Sequence, residues 1–269
     1  MTKYIFLITA TVLVIAIFVF VYKGNKKSDP INGLLGAKYS PSLLGRGLLY
    51  RYYVPVTETN KKYPLVVYLH GAGERGTDNQ SQLNNSALVW VSSAVQKQHP
   101  SFVIIPQCPP NRKWTNTKEK GAPYLFFNQD EIPESKEMKM IRMLIKEFIE
   151  KYPVDTNRIY ISGFSMGSSG TWDMITRYPD LFAAAIPVSG ANDTTKADKI
   201  TTMPIHIFHG AKDEICPPIT SERMYSILHR LGSPCELTVF PDKEHVCTDE
   251  AFETPGLFDW LFAQDKSRR

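Results

Sequence analysis

Net charge is scarce in this 269-residue chain once residues 1–30 are set aside. The formal charge is +4, yet four lysines and one aspartate within residues 1–30 carry +3 of it, leaving +1 for residues 31–269. A body so close to neutral lacks the concentrated basic face of nucleic-acid binders, and no nucleic-acid partner is expected. Cysteine is scarce too. Cys108, Cys216, Cys235 and Cys247 show no C-x-x-C spacing, so neither a zinc site nor a thioredoxin-type motif is indicated, and no metal or cofactor is expected. Their even number permits disulfides without requiring them. Glycine and proline follow no fixed period, which excludes a collagen-like chain. Long polar tracts are absent: at 43% hydrophobic and 12% aromatic, the composition is not that of a disordered protein. There is no internal repeat.

One long apolar run is present. Nineteen uncharged residues lie between Lys3 and Lys23, and a helix of that length spans roughly the 30 Å hydrocarbon layer of a bilayer. An uncleaved transmembrane anchor is expected. The alternative is a cleaved signal, but this run exceeds the usual apolar region of about 7–15 residues and no A-x-A pattern follows it. Residues 24–35 (GNKKSDPINGLL) read as a polar linker, so residues 1–30 form an anchor-and-linker segment and residues 31–269 a single domain. Lysines flank the run on both sides with a margin of one charge, too few to orient it. The body is expected outside the cytoplasm, tethered or, after signal cleavage, secreted.

Within the body, strand-like runs alternate with helical periods. LLYRYYVPV (48–56), PLVVYLH (64–70), SFVIIPQ (101–107), RIYISG (158–163), AAAIPVSG (183–190), PIHIFHG (204–210) and CELTVFP (235–241) are the strand candidates. Met138, Ile141, Ile145 and Phe148 mark one helix, and Met224, Ile227, Leu228 and Leu231 another. The alternation predicts an α/β fold: a mostly parallel sheet with helices on both faces. Ligands of such sheets sit at the carboxyl ends of the strands.

The chemistry-bearing residues fall at those ends. Gly163-Phe164-Ser165-Met166-Gly167 is G-x-S-x-G between a strand and a helix. The glycines admit a sharp turn that pushes the Ser165 hydroxyl into the open. The helix start behind it offers unpaired N–H groups where an oxyanion would form. Such a hydroxyl needs a base. Of six histidines, His70 and His209 end apolar strands beside Gly71 and Gly210, where packing accounts for them and supporting roles stay open. His206 lies inside a strand, His229 on an amphipathic helix, and His99 precedes the serine. His245, after the last strand, is the expected base. Asp213, three residues past Gly210, is the expected acid, with Glu214 the alternative. Asp193 and Asp198 lie in a polar stretch and are expected in solvent, while Asp173 should point away from the site. The backbone N–H of Met166 and that of Ala72, or else of Gly73, are the candidate oxyanion donors.

LVVYLHGAGERGTDN, RIYISGFSMGSSGTWDMITRYPDLFAAAIPVSG and IHIFHGAKDEICPP resemble the α/β-hydrolase superfamily. More narrowly they resemble its carboxylesterase, feruloyl-esterase and polyhydroxybutyrate-depolymerase-like branch, which includes bacterial proteins called predicted peptidases. The similarity runs from about residue 47 to residue 262. It implies an α/β-hydrolase fold, the triad Ser165–Asp213–His245 and the oxyanion loop, and does not fix a substrate; a serine esterase acting on a small-molecule or polymer-linked carboxylic ester is expected. Ser168 departs from the pattern, which usually has glycine there.

Other readings are weaker. Gly71-Ala72-Gly73-Glu74-Arg75-Gly76 matches the dinucleotide fingerprint G-x-G-x-x-G, but after Asp78 the next acid is Glu119, far beyond the 20 or so residues that fingerprint requires. A serine peptidase of the prolyl-oligopeptidase-like type is the real alternative, since one triad serves esters and amides. About 14 residues, Ser189 to Thr202, separate the strands where many such enzymes insert a lid, so no large lid is expected. The irregular stretch 108–131 is expected to form a rim. There Trp114 is the candidate substrate-binding residue, with Tyr124 and Phe126, unless these aromatics merely anchor the loop.

Overall fold

The computed structural model describes residues 28–41, 45, 47–118 and 121–269. The membrane span expected between Lys3 and Lys23 lies outside the described residues. Among those described, no helix is long and apolar enough to cross a membrane.

Nine strands form one sheet: β1 (Ser28–Ile31), β2 (Leu34–Tyr39), β3 (Leu48–Tyr53), β4 (Tyr63–Leu69), β5 (Phe102–Gln107), β6 (Val154–Phe164), β7 (Ala184–Val188), β8 (Ile205–Gly210) and β9 (Cys235–Phe240). Their spatial order is β1-β2-β3-β5-β4-β6-β7-β8-β9. From β5 to β9 every neighbouring pair is parallel, whereas β1, β2 and β3 join antiparallel. The helices are α1 (Ser93–Gln98), α2 (Lys136–Lys151), α3 (Met166–Arg177), α4 (Ile219–Arg230), α5 (Thr248–Phe252) and α6 (Leu257–Ala263).

All seven strand candidates are strands, and both marked helices form. The linker reading of residues 24–35 needs correction from residue 28 onward. Ser28–Ile31 and Leu34–Tyr39 make a hairpin that lengthens the sheet. Its turn is Asn32-Gly33, with φ of 49° and 81°, the left-handed pair that a two-residue hairpin turn demands. The hairpin gains a buried anchor, because the Leu34 side chain is fully covered.

Strand β4 shows why the central strands read as unbroken apolar runs. Leu65, Val67 and Leu69 face one layer with Ile141 and Leu144 of α2, Ile175 of α3 and Leu228 of α4. Val66 and Tyr68 face the other layer with Trp90, Phe252 and Leu261. Each residue is buried whichever way it points, so alternation is lost. Helix α2 starts at Ser135, whose Oγ accepts a hydrogen bond from the Met138 N–H at 3.0 Å. Between β7 and β8 the chain makes a 3-10 turn over Thr194–Ile200 in place of a helical lid.

Candidate active site

The carboxyl ends of β4, β6, β8 and β9 bring the candidate residues together. Strand β6 ends at Phe164 and α3 begins at Met166, leaving Ser165 alone in the bend at φ 54° and ψ −117°. The bend is held from both sides: the Ser165 N–H donates to Val188 O at 2.9 Å, and Ser165 O accepts from the Ser169 N–H at 3.0 Å. A Cβ at Gly167 would overlap the Leu69 carbonyl, and one at Gly163 would overlap the Gly167 carbonyl. The two motif glycines thus let α3 approach β4 and β6 to backbone contact.

Ser165, His245 and Asp213 form a continuous hydrogen-bonded chain. His245 Nδ1 lies 2.7 Å from Asp213 Oδ2, and its Nε2 lies 2.7 Å from Ser165 Oγ. The carboxylate holds the proton on Nδ1, which leaves Nε2 to accept from the serine hydroxyl. Asp213 is buried and meets His245, whereas its neighbour Glu214, the alternative acid, is exposed.

Burial works against the Asp213 charge, but hydrogen bonds from His209, His245 and the Cys216 N–H outweigh it and hold the carboxyl well below its usual range. Oδ1 accepts the N–H groups of Ile215 and Cys216 at 2.9 and 2.8 Å. Oδ2 receives His245 and also His209 Nε2, the latter at 3.1 Å. His209 is fully buried; its Nε2 also reaches Cys216 O at 2.6 Å, and its Nδ1 accepts from the Ser221 hydroxyl at 2.7 Å. The acid therefore stands between two imidazoles, an arrangement the residue pattern did not disclose. The available signal was position alone, a polar ring closing an apolar strand four residues before the acid.

The loop after β4 carries the other half of the site. His70 is buried; its Nε2 accepts from the Cys108 N–H at 2.9 Å and its Nδ1 meets Gly71 O at 2.6 Å. Burial lowers its pKa to about 4, so a neutral ring pins the loop. Gln107 and Asp78 hold the loop's far end: Gln107 Nε2 donates to Asp78 Oδ1 at 2.6 Å, and Gln107 Oε1 accepts from the Asn79 N–H at 2.8 Å. Between these pins, a 3-10 turn over Ala72–Glu74 places Ala72 on the same cleft as Ser165 and Met166. Gly73 does not line that cleft. Glu74 is buried; Asn85 Nδ2 donates to its Oε1 at 2.5 Å, and burial raises its pKa.

Described residues of the stretch 108–131 form a wall of the cleft, with Tyr124 on it as expected but neither Trp114 nor Phe126. Lys113, Thr115, Thr117 and Tyr124 line it. Trp114, the expected substrate-binding residue, is instead fully buried in the core. Its Nε1–H donates to His70 O at 2.9 Å, and its ring packs edge-on to His70 at 5.1 Å. An indole can satisfy its one polar atom in this way and lose its exposed surface entirely, so Trp114 anchors the loop. Phe126 faces Arg223, 5.3 Å from the guanidinium, away from the cleft. Asp193 is likewise buried rather than solvated, because it accepts the N–H groups of Thr195 and Gln129. Asp173 points away from the cleft, to Gln129 and Arg177. Ser168 packs against Gly190 with its hydroxyl buried, a change of packing where glycine was expected. The four cysteines are buried as thiols.

Comparison with known proteins gives a consistent picture. A family model described as Phospholipase/Carboxylesterase matches residues 53–254. A poly(3-hydroxyalkanoate) depolymerase C of Paucimonas lemoignei is 30% identical over 128 residues, 47% of this chain and 28% of that protein. A bifunctional acetylxylan esterase/xylanase of Neocallimastix patriciarum is 31% identical over 85 residues, 32% of this chain and 13% of that protein. The chain thus spans less than a third of these curated relatives. A thermostable esterase of known crystal structure superposes with a TM-score of 0.78 at 35% identity, covering 87% of this chain and 64% of the other.

Proposed function

Since the chain belongs to the phospholipase/carboxylesterase family of α/β-hydrolases, we propose that it is a serine hydrolase that cleaves carboxylic esters through an acyl-enzyme. What supports this reading most is the unbroken chain from Ser165 Oγ through His245 to Asp213, two hydrogen bonds of 2.7 Å each, at the mouth of an open cleft. Such a chain makes an otherwise weak nucleophile reactive.

In the proposed reaction Ser165 Oγ attacks the ester carbonyl carbon while His245 Nε2 takes the hydroxyl proton. The carbonyl oxygen becomes an oxyanion, held by the backbone N–H groups of Ala72 and Met166. Collapse of that intermediate breaks the bond to the alcohol oxygen, which leaves with the proton from His245. Water then repeats the sequence on the acyl-enzyme: His245 takes its proton, the acid is released, and Ser165 regains its hydrogen. Asp213 stays ionised throughout and stabilises the imidazolium.

The ester class takes support from the family and from the polymer- and glycan-ester names of the partial relatives. A peptide would require protonation of a poorer leaving group and a grip on the chain, because held geometry supplies about 7–11 kcal/mol of such barriers. A fluorophosphonate probe tests the nucleophile. Wild type should be labelled at Ser165, and Ser165→Ala should lose both label and turnover. Retained labelling in that variant would move the nucleophile elsewhere. On one sample, kcat/KM for a short-acyl ester should exceed that for a matched amide by about a hundredfold. Comparable values would favour the peptidase reading.

A further inference from the structure

The cleft beside Ser165 is unevenly charged. Of the residues lining it, Arg75 and Lys113 carry charge, both positive, and Thr115, Thr117 and Tyr124 add hydroxyls. Arg75 follows the 3-10 turn that carries Ala72; its Nε donates to Ala72 O at 2.8 Å and its Nη1 to Arg112 O at 3.3 Å. Both acceptors are neutral carbonyls, so the bonds fix the guanidinium without cancelling its charge. Among the described residues, no carboxylate lies within ion-pair distance of Arg75. Glu137 is buried beside Arg112, and Glu74, the carboxylate next to Arg75 in the chain, is buried with Asn85 Nδ2 donating to its Oε1. A fixed cation on a cleft wall attracts an anion and orients it, and a planar guanidinium suits a carboxylate.

We propose that this site prefers esters that themselves carry a carboxylate, with Arg75 as the residue that binds it. The proposal rests on the ester-hydrolase reading and deepens it. Because Arg75 is tied to Ala72 O, a carboxylate bound there sits close to the oxyanion turn, within a few bonds of the scissile ester. Two substrate forms share this chemistry: half-esters of dicarboxylic acids, with the charge on the acyl side, and acylated uronic acids, with the charge on the alcohol side.

Two matched pairs separate them. The first sets 4-nitrophenyl hydrogen adipate against the isosteric neutral 4-nitrophenyl adipamate. The second sets an O-acetylated methyl glucuronoside against the O-acetylated methyl glucoside. In one pair the charged member should have the higher kcat/KM by about tenfold at low salt, declining as salt is added. Arg75→Gln should bring that ratio towards one, and Arg75→Lys should keep part of it. Taking the ratio removes any common loss that arises because Arg75 also braces Ala72. A ratio near one in both pairs, or one unchanged in Arg75→Gln, overturns the proposal while turnover of the neutral esters leaves the hydrolase reading intact. Failure of all four esters together with failure of fluorophosphonate labelling at Ser165 would take down both.

Discussion

Replacing Ser165 by glycine should make the protein more stable than replacing it by alanine. At φ 54° and ψ −117°, Ser165 holds a conformation that a residue with a Cβ avoids, and its backbone bonds to Val188 and Ser169 prevent relaxation. Strain of this kind costs about 1–3 kcal/mol. Alanine removes the hydroxyl and its bond to His245 but keeps the Cβ, so the strain stays. Glycine removes the same hydroxyl and also the strain. Against this, glycine loses about 0.5–1 kcal/mol more on folding through the freedom of its unfolded chain. The balance favours Ser165→Gly over Ser165→Ala by about 1 kcal/mol, or roughly 2–4 °C in Tm for a domain of this size. Urea unfolding and calorimetry of the two variants, side by side, measure it. If the glycine variant were the less stable by about 0.5–1 kcal/mol, the ordinary glycine penalty, the bend would hold no strain.

His209→Leu should lower kcat by about 10- to 100-fold, the worth of one hydrogen bond to a charged group, with a smaller change in KM. His209→Gln, which keeps an N–H donor, should recover part of the loss, and equal damage in both variants would argue for packing alone. Glu74 has its pKa raised above the ordinary 4.5 by burial, so the folded state holds its proton longer than the unfolded state. Wild-type stability should therefore fall relative to Glu74→Gln as pH rises from about 4.5 to the folded-state value, and stay level beyond it. A pH series of urea midpoints for both proteins reads this, and parallel curves would refute it. Trp114→Ala should cost about 3–5 kcal/mol in stability, the scale for a large buried aromatic; a loss below about 1 kcal/mol would contradict its place in the core.

Some of this protein was written in short-range pattern. Strands β4, β5, β7 and β8 announce themselves as apolar runs because a strand covered on both faces has no wet side to mark. Ser165 is legible because its turn needs glycines at fixed offsets, and the order of serine, acid and histidine follows from the order of strand ends. The Asn32-Gly33 hairpin was legible too, since that dipeptide sets a two-residue turn, but its polar neighbours resemble a linker until Leu34 is seen to be buried. Other features had no local trace. Trp114 reads as a pocket residue by its type, and its burial came from packing in the core, with His70 O accepting from its indole N–H. That Asp213 and not Glu214 faces inward was set by packing, and His209 gained its place between Asp213 and Ser221 from strand β8 and helix α4 meeting. Turn geometry such as that of Asn32-Gly33 is written in adjacent residues, whereas burial and most side-chain hydrogen-bond partners are decided by residues distant in sequence, which only the packed fold brings together.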